Sequence, residues 1–338
     1  MKRLATILLI LISGYSFSQH HYLLALSKTD KKLVVIDYNS LEVIKKIPVR
    51  KDPHEIVTSS NGKTAYVSNT GSGKFHSIDI IDLPTLTRSD SIDTSPLMGP
   101  HGLAFVENKL WFTTQGTKTI GSYDPDKKKT DQVIRSGQDR THMLKVSEDA
   151  NHIFATNVDS GTVSIFDYTL HPPTITPMGY ALSTAKPFWD WSHTVINADP
   201  GVEGLDISGD EKELWTASPS TGKIYIIDID TKKLIQTIDA KIFGANRLKF
   251  SNKDEYVLIS SLKTGELVIF NPKSRTEIKR LKIGTGASEI LIDKNNSRIF
   301  ISCTPDNYVA VLDLKTFQII KKIDIGGRPD GLTFAEFQ

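Results

Sequence analysis

Apolar and polar positions alternate in short runs that recur along the whole chain. The stretch Pro100 to Asp124 shows the unit most clearly. Pro-His-Gly-Leu opens it, Leu103, Ala104 and Phe105 form a first apolar run, and Glu107-Asn108-Lys109 make a polar turn. Leu110 to Thr114 read as a second strand, Gln115-Gly116-Thr117 as another turn, and Ile120 to Asp124 as a third strand. Lys129 to Arg135 continue as a more polar fourth. Short runs bounded by turn residues at about 8–12-residue spacing predict strands. Four of them repeating about every 40–45 residues predict the blade of a β-propeller.

The residue closing each third strand counts the repeats. It is Asp37, Asp82, Asp124, Asp167, Asp228, Asn271 and Asp313, at intervals of 45, 42, 43, 61, 43 and 42 residues. Asp or Asn there accepts backbone N–H groups of the following turn, a structural role. The last polar position of the second strand gives a second register: Ser27, Asn69, Thr114, Asn157, Ser218, Ser261 and Cys303. The only cysteine thus stands where any small residue serves, which argues against a catalytic thiol. The first strands open at Pro53, Pro100, Thr141, Val202, Ala245, Ala287 and Pro329. Since the last of these lies at the C-terminus and the first repeat lacks its own, the C-terminal strand is predicted to close blade 1. The fold class is therefore all-β: a seven-bladed β-propeller of four-stranded blades in one domain, residues 20–338.

The long interval, 61 residues, marks an insertion across residues 171–200 that carries Phe188, Trp189, Trp191 and His193. Long irregular insertions in compact folds are often functional. This one is read either as a partial lid on a ligand, with Trp189, Trp191 and His193 in contact with it, or as aromatic packing on the rim.

Lys2-Arg3, the apolar run Leu4 to Ile12 and the small-residue site Ser16-Phe17-Ser18 have the form of a cleavable secretory signal covering residues 1–19, too short to span a membrane. No cysteine lies near the cleavage site for a lipid anchor, so the expected compartment is periplasmic or extracellular. Of 41 basic and 39 acidic residues, removal of Lys2 and Arg3 leaves the two counts equal. That balance gives no electrostatic case for nucleic acid or an anionic membrane.

Blade 2, with PHEIVTSSNGKTAYVSN and the later IDI, resembles the YVTN repeat of exported bacterial propellers of the YncE and surface-layer type. The resemblance extends over all seven repeats. Blade 3 is similar to the repeat of virginiamycin B lyase through GPHGLAF, LWFTT and TIGSYDP. Both resemblances imply a seven-bladed propeller. The second implies channel His and Glu residues working with a divalent ion, matched here at His101. Neither fixes an activity. The YncE likeness also raises a nucleic-acid partner, which the neutral charge disfavours.

In propellers the first strand lines the central channel. The second residue of each opening motif therefore forms a ring: His54, His101, His142, Glu203, Asn246, Ser288 and Asp330. Three of the chain's nine histidines fall in this column. Imidazoles from successive blades beside a carboxylate suit one divalent metal ion (Zn, Cu, Fe or Mg) held by His54, His101, His142 and Glu203. Without metal, His101, His142 and Glu203 could serve as general base and acid in a lyase or lactonase. A row of polar side chains also simply holds water in a channel. Two positions earlier stand Asp52, Gly99, Arg140, Gly201, Gly244, Gly286 and Arg328. Arg140 and Arg328, with Arg247 beside Asn246, could clamp a carboxylate or phosphate, or form surface ion pairs. His20, His21, His76, His152 and His171 fall at strand edges or loops, with solvent exposure expected for His21. No GxSxG elbow, Walker A loop, CxxCH or HExxH occurs, which argues against a serine hydrolase, an NTPase, a c-type haem protein and a zincin. The expected function is binding of a small ligand or metal at the channel mouth. The alternatives are a lyase- or lactonase-type enzyme, or a scaffold for a protein partner.

Overall fold

The computed structural model describes residues 20–171 and 188–338. The expected signal segment and the middle of the 171–200 insertion lie outside them. The described residues form twenty-eight strands in seven antiparallel four-stranded sheets. Each sheet is one blade, and its strands run outward from the channel in chain order. Blade 1 is the exception: its innermost strand is Pro329–Phe337, paired with His20–Ser27 from His20↔Phe337 to Ser27↔Pro329.

Why the strands read as they do follows from burial. Second and third strands have both faces covered by neighbouring blades, so they are continuous apolar runs such as Leu23–Leu26 and Leu33–Ile36, all fully buried. Alternate residues serve opposite neighbours: Leu24 and Leu26 pack towards blade 2, Leu23 and Ala25 towards blade 7. Fourth strands are mostly exposed, as the polar Lys129–Arg135 anticipates. Among the described residues seven apolar clusters form, one between each pair of adjacent blades. The fold therefore has a ring of interfaces instead of one central core.

The anchor residues behave largely as expected. Asp37, Asp82, Asp124, Asp228, Asn271 and Asp313 each accept a backbone N–H from the turn that follows. Asp167 does not, because its strand runs on to His171; it pairs instead with His152, at 2.8 Å, and Lys232. His21 departs from its expected exposure: it is half-buried and stacks on Tyr38 with centroids 3.6 Å apart. Cys303 is fully buried, and burial pushes its thiol up to about 11. The native protein should therefore leave a thiol-specific dye unreacted at pH 8 and titrate one thiol in denaturant; rapid native labelling would contradict the burial.

Candidate functional site

The channel mouth is built by a repeated irregularity. In blades 1, 2, 3, 4 and 6 the register slips at the head of the first strand, so that two residues face one on the second strand. This is a bulge, and it turns the ring residue and its successor out of the ladder. In blades 5 and 7 the strand begins only after the ring residue, at Leu205 and Ile290. Hydroxyls on the second strands secure the bulges. Ser68, Thr113, Thr156 and Ser260 accept the N–H of Glu55, Gly102, Met143 and Arg247. Hydroxyls also stitch adjacent blades together. Thr113 donates to the carbonyl of His142, Thr156 to that of Glu203 at 2.6 Å, Ser260 to that of Ser288 at 2.5 Å and Ser302 to that of Asp330 at 2.6 Å.

The seven ring residues do come together. With Arg140, Arg247 and Arg328 they line one cavity of about 950 Å³ at this mouth. The three imidazoles form a row: His54 and His101 lie 4.8 Å apart between centroids, His101 and His142 3.9 Å. His101 and His142 are 2% and 4% exposed. Burial holds both well below the usual imidazole range, and neighbouring positive charge adds to it, so both are neutral at pH 7. Their Nδ1 atoms are buried without a partner. Hydrogen bonding towards the cavity is therefore left to Nε2. His54 is more open. Lys28 Nζ lies 2.6 Å from its Nε2, Asp52 3.2 Å from Nε2, and Asp330 3.4 Å from Nδ1.

Across the mouth, burial raises the Glu203 carboxyl, although Arg247 and Arg140 oppose the shift, and Asn246 Nδ2 donates to it. Ser288 Oγ is bonded to Thr304 Oγ1 at 2.7 Å. Neighbouring imidazoles are tilted against each other, by 46° between His54 and His101 and 33° between His101 and His142. Among the described residues no group of three or more His, Cys, Asp or Glu side chains has the arrangement to hold a metal ion.

One expectation is corrected. Arg247 is not a free clamp. Its guanidinium is 5% exposed and donates to Glu55 and, at 2.8 Å, to Glu289. Those carboxylates come from blades 2 and 7, so Arg247 of blade 6 reaches across the channel and floors the cavity with a buried triad. Burial pushes Glu55 up to about 8 against the pull of Arg247, with Glu289 and Asp330 adding to the rise. Glu55 and Glu289 were missed by the sequence reading. The third column of the opening motif (Glu55, Gly102, Met143, Gly204, Arg247, Glu289, Gly331) carried the signal. Its glycines permit close approach, since a Cβ on Gly102 or Gly331 would stand 2.6 or 2.7 Å from the carbonyl oxygen of His142 or His54.

The described ends of the insertion lie away from this mouth. Thr141, Asn157, Thr162 and Asn197 share the mouth end of blade 4, whereas His171 pairs with Phe188 at the far end. A connection from third to fourth strand must leave from the face opposite to the one where first strands begin. Trp189 pairs in register with Leu170, and Trp191 with Tyr168. Trp191 packs on Trp111 and Tyr168 and donates to Gln132 at 3.0 Å. His193 stacks on Phe166 at 4.2 Å, and its Nε2 is 2.9 Å from Ser164 Oγ. The segment extends blade 4, and Trp191 braces it against blade 3.

Of the seven residues two places before the ring, all but Gly286 have a left-handed backbone. φ is +70°, +92° and +76° at Gly99, Gly201 and Gly244, and +56°, +57° and +58° at Asp52, Arg140 and Arg328. A side chain in that region costs about 1 kcal/mol relative to glycine. All three exceptions are charged, and all three line the cavity.

No family model matches the chain, and no curated protein matches it. Solved structures do. A candidate 6-phosphogluconolactonase from Bacteroides fragilis superposes with a TM-score of 0.70 at 16% identity, covering 95% of this chain and 99% of that one. A functionally unknown protein from Desulfotomaculum acetoxidans gives 0.71 at 13% identity, covering 94% and 99%. The dihydro-heme d1 dehydrogenase NirN gives 0.63 at 13% identity, covering 92% and 74%. At such identities the likeness is one of fold, that of a β-propeller. Among the described residues no helix is long and apolar enough to cross a membrane.

Proposed function

We propose that this chain is an exported propeller that binds a small polar organic molecule in the mouth cavity, against the imidazoles of His101 and His142. The observation that carries the reading is the pair of adjacent, neutral imidazoles, buried at Nδ1, in the wall of an otherwise charged cavity. Neutral rings in a dry wall exchange hydrogen bonds with a ligand without the cost of stripping water from a charge.

A ligand screen by thermal shift, followed by calorimetry on the variants, tests it. Glutamine carries its amide near the place of Nε2, and asparagine near that of Nδ1. His101→Gln and His142→Gln should therefore keep much of the affinity, and His101→Asn and His142→Asn should lose about 10–100-fold, the worth of a buried hydrogen bond. Equal affinity in all four folded variants would reject the site. Elemental analysis of the native protein beside the His54/His101/His142 triple alanine variant decides whether Zn, Cu, Fe or Mg also enters.

A second reading, an acid–base enzyme of lyase or lactonase type, draws on one further observation. Burial moves Glu203 up and His101 and His142 down, which draws the ranges of an acid and two bases around one cavity towards each other. The fold neighbour named as a lactonase candidate fits that class. Glu203→Gln, which keeps the Asn246 contact, should then abolish turnover and leave ligand affinity nearly intact.

A further inference from the structure

We infer that the molecule held in this mouth is an anion, with its carboxylate or phosphate lodged between Lys74 of blade 2 and Arg328 of blade 1. The inference rests on the mouth being the binding site and adds the chemical class of its ligand.

Five cationic side chains line the cavity, and three are engaged. Lys28 is shared among His54, Asp52 and Asp330, the two carboxylates each at 3.5 Å. Arg140 faces Asp159 at 3.6 Å, and Arg247 holds Glu55 and Glu289. Lys74 and Arg328 have no hydrogen-bond or ion-pair partner for their charged groups among the described residues. The lining carboxylates are directed elsewhere: Asp52 and Asp330 to Lys28, Asp159 to Arg140, Asp139 to Lys118 and Glu203 to Asn246. The unpaired cations of the mouth thus sit on two adjacent blades.

The backbone of the same sector sets where these side chains start. Lys74 follows a turn in which Gly71, Ser72 and Gly73 are left-handed in succession, at φ +57°, +50° and +83°, and the N–H groups of Gly73 and Lys74 close it by donating to the carbonyls of Thr70 and Gly71. The Ser72 N–H already serves the carboxylate of Asp52. On the other side of the sector, Arg328 occupies the left-handed position where glycine would cost nothing, so strain is accepted to place a guanidinium at the rim. Arg328 offers a planar fork and Lys74 a point charge, a combination that suits a carboxylate or a phosphate monoester.

A matched set of sugars gives the test: glucose, gluconate and glucose 6-phosphate, titrated at fixed ionic strength against the wild type, a Lys74→Ala/Arg328→Ala variant and His142→Asn. We expect one or both anions to bind and glucose not to, with the double variant weakening the anion about tenfold or more. Raising salt from roughly 0.05 to 0.5 M should weaken binding further, since these charges face solvent. Gluconate and glucose 6-phosphate separate a carboxylate site from a phosphate site. Binding of glucose equal to that of both anions, unaffected by the double variant, overturns the inference; loss in His142→Asn would then still uphold the mouth as the site. No binding of either anion at high millimolar concentration also overturns it. Anion binding untouched by His142→Asn but lost in the double variant would uphold the anion subsite and reject the reading on which it was built.

Discussion

Arg247→Ala should destabilise the protein by roughly 3–5 kcal/mol near pH 8, because it strands two buried carboxylates. Glu55 and Glu289 then stand with no counter-charge, both nearly inaccessible to solvent. The dependence on pH identifies the cause. Glu55 is raised in the folded protein to about 8 from 4.5. A raised carboxyl leaves stability intact below its unfolded value, and stability is lost as pH climbs towards the folded value. Wild-type stability should therefore fall between about pH 4.5 and 8, and Glu55→Gln should flatten that slope. In Arg247→Ala the fall should be steeper, and the deficit should shrink at pH 5. Arg247→Met combined with Glu55→Gln and Glu289→Gln should regain most of the loss. Guanidinium unfolding followed by tryptophan fluorescence at pH 5 and 8 decides the matter. A loss under 1 kcal/mol at both values would show the triad to be dispensable.

Removing residues 329–338 should have a larger effect: no folded monomer. The deleted strand supplies Leu332, Ala335 and Phe337 to the interfaces on both sides of blade 1. Burial of an apolar side chain is worth about 1.5–3 kcal/mol, and the deletion also exposes the ladder edge of His20–Ser27. The sum approaches the whole stability of an ordinary domain, about 5–15 kcal/mol. A circular permutant that begins at Pro53 and joins Gln338 to His20 keeps the same strand pairs within one continuous segment, and it should fold. Size-exclusion and circular dichroism of the two proteins test the claim. A truncated chain that remains monomeric with native strand content would mean that the closure is ornamental.

Most of the ring was legible because a propeller converts sequence period into angular position. The Asp37-to-Asp313 series counted the blades, and the opening motif put His54, His101 and His142 side by side. One feature was read wrongly and one was left open, for different physical reasons. Arg247 looked free because its partners lie 192 and 42 residues away, and contacts across a channel leave no periodic trace. The Trp189–His193 segment stayed between a lid and aromatic packing on the rim because its composition was weighed without strand parity. Counting reversals from Thr141 puts its described residues in the fourth strand of blade 4. The metal was inferred from residue type and ring position, and neither reports how neighbouring imidazoles are tilted.

The slipped register at the head of five first strands, and the late start of the other two, separates two inheritances. Ladder hydrogen bonds and interface packing reside in residues that follow, whereas the ring side chains reside within the slip or ahead of the strand. Exchange of His54 for Ser288, or Glu203 for Asn246, disturbs no ladder pair, so selection can rewrite the chemistry of the mouth without renegotiating the fold. The same independence makes the seven positions a natural library, in which binding specificity can be varied combinatorially on one unchanging frame.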